Sequence, residues 1–521
     1  MPRQSFLKGS FILMVAGFVT RVLGMINGMV LARVIGDEGV GLYMMAYPAM
    51  LLVVTLTEIG LPVAISKLVA EADSFGDRGK IRLILALSLS IVSIISVVLT
   101  LLTLLAVPMI VSRFYVDKRV LYPLLAVIPV IPIVAVASVI RGYFQGVRNM
   151  KPYAYSGIIE QLVRISLVFI LANTLMPRGV AFAAAGAMIA GAAGECASLL
   201  YMLRCFHREG ALNVRRMRFK QLRTSASVLF QLLNIGLPTM GSRLIGSLSN
   251  FLEPMIVSNG LMIAGYSLKS SAQLYGELTG YAMTLLLLPT FITHALHVAL
   301  VPAVSEAHAR RNYGMIHYRL NQALRIAMLC GGLSILVTTC FAKPLMAIIY
   351  NSPESAHFLY LMAPFFIIFY FQAPMHAVLQ ALNLARPAMY NTLIGAIVKT
   401  IALFVLTSQP AFGINGVALA ICLNVVLVSL LHAGVMFKAI GFSLVVRDFV
   451  KAGIVFALSG LLAQLLLRHA FLELSIIPRT FVLMTLLSAA YGLLALIAGL
   501  ISREQLHLLP VIGRFFEVKR L

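Results

Sequence analysis

Apolar residues occupy this chain in long unbroken stretches separated by short polar segments. Crossing a bilayer takes roughly 20 apolar residues in helical form. On that measure the stretches predict helices over 10–34, 42–66, 83–107, 120–142, 153–175, 180–203, 227–250, 274–302, 323–346, 356–382, 388–408, 412–437, 449–468 and 476–501. Segment 251–273 is only partly polar, so the seventh and eighth spans are the least sharply bounded. Inside lipid every backbone polar group needs an internal partner, which leaves helix bundles or closed barrels. The continuous runs select helices, because barrel strands alternate over about ten residues. The pattern predicts an all-α polytopic membrane protein of about fourteen transmembrane helices.

Composition agrees. The chain of 521 residues is 60% hydrophobic and 11% charged, against about 25% charged in soluble domains. Its mean hydropathy is +0.96. Arg3 and Lys8 before an apolar run resemble a signal peptide, but the run continues past Arg33 without a small-residue cleavage site, so it reads as the first span. The net charge of +23 sorts by side. With the N-terminus in the cytoplasm, inside segments hold 27 Lys and Arg, including three in 141–151, and outside segments hold 8. The positive-inside rule then predicts a multi-pass protein of the cell membrane with both termini cytoplasmic, and accounts for the basic balance without nucleic acid. The longest basic stretch, 204–223, either grips anionic lipid headgroups or only fixes topology. Five scattered Cys form no CxxC pair and no zinc spacing.

The halves repeat. VAISKLVAEA at 63–72 pairs with VALVPAVSEA at 298–307, and 144–165 pairs with 379–400, at one shared offset. TRVLG at 20–24 matches SRLIG at 242–246 at a smaller offset. Each copy holds six spans, an even number, so the repeat is parallel. The expected domains are an N-lobe at 1–203, a basic cytoplasmic linker at 204–226, a C-lobe at 227–440, and two trailing helices with a tail at 441–521. Transporters built on parallel repeats bind substrate between the halves and rock one against the other.

Charges within spans cost about 2.5–3.5 kcal/mol each on insertion scales and mark function. Arg21 and Arg243 are repeat-equivalent, and two guanidinium forks facing one cavity suit a phosphate or pyrophosphate. The alternative is that each Arg pairs with a structural carboxylate. Arg164 and Lys399 form a second equivalent pair. Glu160 can pair with Arg164 along one helical face, whereas Lys399 has no acid on its own helix. Glu58 and Glu277 are candidate counter-ions to Arg21 and Arg243, or proton-coupling carboxylates. Glu195 reads as structural. Pro129, Pro132, Pro238, Pro289, Pro364 and Pro374 predict kinks. There is no GxxxxGK[ST], GxSxG or HExxH motif, and His294 with His297 is too few ligands for a metal. The reading is of a non-enzyme without catalytic, cofactor or metal residues.

The stretch TRVLGMINGMVLARVIGDEGVGLYMMAYP at 20–48, followed by GLPVAISKLVAEA at 60–72, resembles the polysaccharide-exporter and lipid II flippase branch of the multidrug/oligosaccharidyl-lipid/polysaccharide exporter superfamily. The resemblance covers the whole chain. It implies a MATE-like V of two lobes, and export of an undecaprenyl-pyrophosphate-linked glycan, the peptidoglycan precursor used for spore cortex. It also implies trailing helices like those forming a lipid-tail groove in the flippases. Arg21 takes the place of their first cavity arginine. Their second span-1 arginine and the acid after it are replaced by Asn27 and Gly28, and their further cavity arginines fall near Val54 or Thr55 and near Thr284.

The expected function is therefore a flippase working by alternating access on a lipid-linked glycan, driven by protons, sodium or the membrane potential. Its expected partners are membrane lipids and cell-wall synthesis proteins. An ion-coupled multidrug exporter of the same fold and a non-transporting scaffold for cell-wall assembly are the alternatives.

Overall fold

The computed structural model describes residues 6–209, 222–442, 445–471 and 473–500. Most of the basic stretch, at 210–221, and the tail from 501 lie outside the described residues. Among the described residues there is no strand. The helices are α1 (Phe6–Glu58), α2 (Leu61–Ser74), α3 (Arg78–Phe114), α4 (Leu121–Ala126), α5 (Val130–Gly146), α6 (Met150–Leu175), α7 (Val180–Arg208), α8 (Leu222–Ile263), α9 (Leu268–Gly276), α10 (Met283–Leu286), α11 (Thr290–Ala309), α12 (Tyr313–Cys340), α13 (Ala342–Tyr350), α14 (Ala356–Ala381), α15 (Ala385–Thr407), α16 (Ile414–Ile440), α17 (Val446–His469) and α18 (Ile476–Ile497). A π-helical turn, Glu277–Ala282, joins α9 to α10.

Ten of these helical stretches are long and apolar enough to cross a membrane, or twelve when each of two bent pairs counts as one span. The difference from fourteen arises at two places. Val15–Ser74 is a 60-residue stretch that counts once although it breaks at Gly36, between the two expected spans. In α8, among the described residues, the apolar segment found is the shorter Ala226–Leu237.

The chain forms two compact units. Unit 1 comprises residues 1–284 and 392–424. Its α1 is two helical runs meeting at Gly36, whose φ of 66° and ψ of 177° lie in a region only glycine occupies without strain. Past that break, Gly41 lies against the backbone of Ala272 in α9, where an added Cβ would strike the Ala272 carbonyl. Tyr281 Oη donates to Asp37 Oδ1 across the same seam at 2.6 Å. The α7 face Ala183–Ala184–Ala185–Gly186–Ala187 and Ala190–Gly191–Ala192 is small and buried, which lets α6 approach backbone to backbone. A Cβ on Gly194 would lie 2.7 Å from the Glu160 carbonyl.

Unit 2 comprises residues 285–391 and 425–521. Leu300, Val304, Leu320, Leu324, Val378 and Met436 form one core between α11, α12, α14 and the end of α16. Leu336, Val455, Leu483, Leu487 and Tyr491 form another, which seats the trailing α17 and α18 against α12. The expected proline kinks at Pro129 and Pro289 are breaks: α4 meets α5 at 41°, and the helix ending at Leu286 meets α11 at 54°. Past Pro289, Thr290 N turns to Leu287 O, and the Leu286 carbonyl accepts from Tyr370 Oη at 2.7 Å. A side chain thus gives the Leu286 carbonyl the donor it loses when Thr290 N–H turns to Leu287 at the break.

Gly36→Ala is expected to cost about 1–3 kcal/mol although a Cβ there meets nothing, because only its backbone conformation is strained. Gly41→Ala is expected to cost a similar amount, about 1–3 kcal/mol, by clash alone. Unfolding of both variants in detergent checks this. A Gly36→Ala protein as stable as wild type would remove the strained-backbone account of the break.

Candidate functional site

Six membrane-embedded charges gather in unit 1. On α6, residues four apart share a face, and Arg164 Nη2 meets Glu160 Oε1 at 2.5 Å. Arg141 on α5 meets Glu195 on α7 at 2.6 Å. Glu58, the last residue of α1, faces Arg243 of α8 at 3.4 Å. Next to it Thr55 Oγ1 and Ser247 Oγ share a hydrogen bond of 2.9 Å. The pairs also act on one another: Glu58 feels Arg141 and Glu195 besides Arg243, and Arg141 feels Glu160. Three carboxylates and three guanidiniums balance, so the set carries no net charge to attract an anion.

Lys399 of α15 is committed to partners in α8. Its Nζ donates to Glu253 Oε2 at 2.9 Å and to Asn250 Oδ1 at 3.0 Å, and Tyr275 Oη donates to Glu253 Oε1 at 3.3 Å. Both members are nearly buried, with 7% and 12% of their side chains exposed. Charge pairing and hydrogen bonds at all the heads offset the desolvation cost.

The remaining candidates sit apart from these pairs. Glu277, buried in the π-helical turn, accepts from Gln273 Nε2 at 3.2 Å. Asn27 is buried, and its Oδ1 has no hydrogen-bond donor. Arg21 is exposed on α1 and makes no ion pair or hydrogen bond among the described residues. Of the two repeat-equivalent arginines, Arg243 thus has Glu58 as its counter-ion while keeping 56% of its side chain exposed, and Arg21 is exposed without a partner among the described residues. Among the described residues no cluster of three His, Cys, Asp or Glu can hold a metal ion.

Sequence reasoning missed Arg141, Glu253, Asn250 and Ser247. Arg141 counted with the loop cations of 141–151 but belongs to α5. Glu253 lay in the ill-bounded 251–273 segment. Continuing the helix from 227 through 263 puts Asn250 and Glu253 three apart on one face, which is the signal that identifies them as a pair of ligands for a cation.

Residues 6–308 match the family pattern described as polysaccharide biosynthesis protein, and 277–405 match the MatE pattern. The first of these covers more than half of the chain. The chain belongs to the polysaccharide biosynthesis protein family. Stage V sporulation protein B of Bacillus subtilis (strain 168) is 46% identical over 514 residues, covering 99% of each chain. The solved lipid II flippase MurJ, in an inward closed conformation, shares the fold at a TM-score of 0.69 and 15% identity, covering 94% of this chain and 98% of that one. An inward-facing MATE family transporter of the MOP superfamily matches at a TM-score of 0.66 and 16% identity, covering 81% and 94%. This member of the polysaccharide biosynthesis family is thus a multi-pass membrane protein with the fold that the flippase and the MATE transporter share.

In this family member, Lys399→Met leaves Glu253 buried and uncompensated, at an expected cost of about 3–5 kcal/mol. Lys399→Met combined with Glu253→Met is expected to recover most of that. Denaturation of the single and double variants in detergent measures the coupling. Additive losses would mean the two residues do not act as a pair.

Proposed function

We propose that this protein is a flippase that carries an undecaprenyl-pyrophosphate-linked glycan, a peptidoglycan precursor for spore cortex, outward across the cell membrane by alternating access. The observation that carries the reading is Arg21, an exposed guanidinium with open donors on a membrane-spanning helix. A cation is kept at such a depth where it meets water or an anionic ligand, and a planar fork binds phosphate oxygens in pairs. Arg243, largely exposed beside Glu58, is the second fork. The near full-length likeness to a protein named for stage V of sporulation, and the fold shared with a lipid II flippase, support the substrate class.

In this reading the two six-span halves flank the path, with the basic stretch and both termini on the cytoplasmic side. Transport takes its energy from a proton or sodium gradient or the membrane potential, without a cofactor, among membrane lipids and cell-wall synthesis proteins. A second reading, an ion-coupled multidrug exporter, is favoured by the MatE match over 277–405.

Reconstitution into liposomes with a polyprenyl-pyrophosphate-linked glycan tests the proposal. Wild-type protein is expected to translocate it. Arg21→Ala is expected to slow translocation about ten- to a hundredfold, the loss of a charge-assisted contact of about 1.5–3 kcal/mol. Wild-type rates in an Arg21→Ala/Arg243→Ala protein would refute the paired-arginine site. Transport of cationic drugs with none of the glycan would favour the exporter.

A further inference from the structure

Unit 2 holds four histidines in a row, only two of which are near in sequence. His294 and His297 of α11 lie with ring centroids 6.4 Å apart and planes within 3°. His297 and His376 of α14 are 5.6 Å apart, and His376 and His432 of α16 are 5.9 Å apart. Exposure falls along the row. His294 is exposed, His297 and His376 are half-buried, and His432 is 2% exposed.

The surroundings leave the imidazoles as the titrating groups. The four helices of the row, α11, α14, α15 and α16, carry one carboxylate between them, Glu306 at the far end of α11, which pairs with Arg310 at 2.8 Å. Helix α12, packed on α11 and α14, has no carboxylate. Its His317 bonds the Ile440 carbonyl, its Arg325 pairs with Asp448, and its Arg319 lies over the Tyr318 ring. Its Cys330 and the Tyr370 of α14 are occupied with neutral packing and with the Leu286 carbonyl. Helix α15 adds Arg386 and the paired Lys399, and α16 adds Lys438 near its end.

The hydrogen bonds assign the two ends of the buried stretch. His297 Nδ1 faces the Ala373 carbonyl at 3.0 Å, and a carbonyl only accepts, so Nδ1 carries the proton and Nε2 is open. Asn391 Nδ2 donates to His432 Nδ1 at 3.0 Å, so neutral His432 carries its proton on Nε2. Placing a second proton on His432 sets N–H against NH2. The Asn391 amide must then turn over to offer its oxygen.

We propose that the row His294–His297–His376–His432 is a proton-binding relay, loaded at its exposed end and read out at the His432–Asn391 contact between α16 and α15. Imidazole changes charge in the physiological range. Centroid spacings near 6 Å are ones a single water bridges between ring nitrogens. Neighbouring imidazolium ions repel, so adjacent rings do not both hold a charge, and a proton arriving at one ring drives the next one inward. That these protons drive substrate movement rests on the flippase reading above. The relay itself does not.

The test uses the full chain in detergent and in liposomes, between about pH 5 and pH 8. The resting arrangement holds His432 as an acceptor, so acid works against it, and the wild-type thermal midpoint is expected to fall as pH falls. His376→Gln/His432→Gln is expected to lose that slope. Asn391→Asp, which sets a carboxylate against His432 and favours its charged form, is expected to move the fall to a different pH, and serves alone should the double variant not fold. Midpoint profiles for Asn391→Asp, and for any folded double variant, that match wild type would overturn the relay. If wild type moves no lipid-linked glycan yet its midpoint profile depends on these residues, the flippase reading falls and the relay stands. If glycan moves with one pH profile in all proteins and the midpoints coincide, the relay falls and the flippase reading stands.

Discussion

Everything in this structure answers to one constraint: in hydrocarbon, a backbone N–H or C=O without a partner has no water to turn to. Long helices satisfy it by construction, and the informative places are those where a helix is interrupted. At Gly36 the chain leaves helical geometry in a conformation open to glycine alone. At Pro289 the helix breaks, Thr290 N–H turns to Leu287, and Tyr370 reaches across from α14 to serve the Leu286 carbonyl left behind. These two interruptions show two means of bending a membrane helix. One uses backbone freedom, and the other uses a side chain to replace the missing partner.

The same accounting governs charge. Arg164, Arg141 and Lys399 each lie within 3 Å of a carboxylate. Those pairs make a neutral interior, and Arg141–Glu195 and Lys399–Glu253 bind segments of unit 1 distant in sequence. Arg21 breaks the pattern, with exposed donors and no partner among the described residues. It is the contrast with the paired cations, rather than the presence of arginine in a span, on which the proposed binding role of Arg21 rests.

How far the sequence carried depended on the range of the interaction. The helical class followed from run lengths, the breaks near residues 129 and 289 from proline, and the Glu160–Arg164 pair from a spacing of four. Each is a local property of the chain. The Lys399–Glu253 pair spans 146 residues, and no periodicity connects its members. His376 and His432 likewise gain meaning only from being beside His297. The break at Gly36 falls between the expected spans 10–34 and 42–66, so its place was legible, whereas its backbone conformation was not. The span count is lower where α8 presents the shorter apolar segment Ala226–Leu237 and where Val15–Ser74, broken at Gly36, counts once.

The Ala- and Gly-lined contact between α6 and α7 has a mechanical side. Alanine and glycine have no rotamers to exchange, so two backbones in direct apposition cannot slide by repacking as leucine-lined helices do. The α6–α7 pair is therefore a stiff girder, and Glu160, Arg164 and Glu195, mounted on it, keep their mutual spacing under load. A side chain larger than hydrogen at Gly186 or Gly194 would press on the backbone of α6 and force the two helices apart.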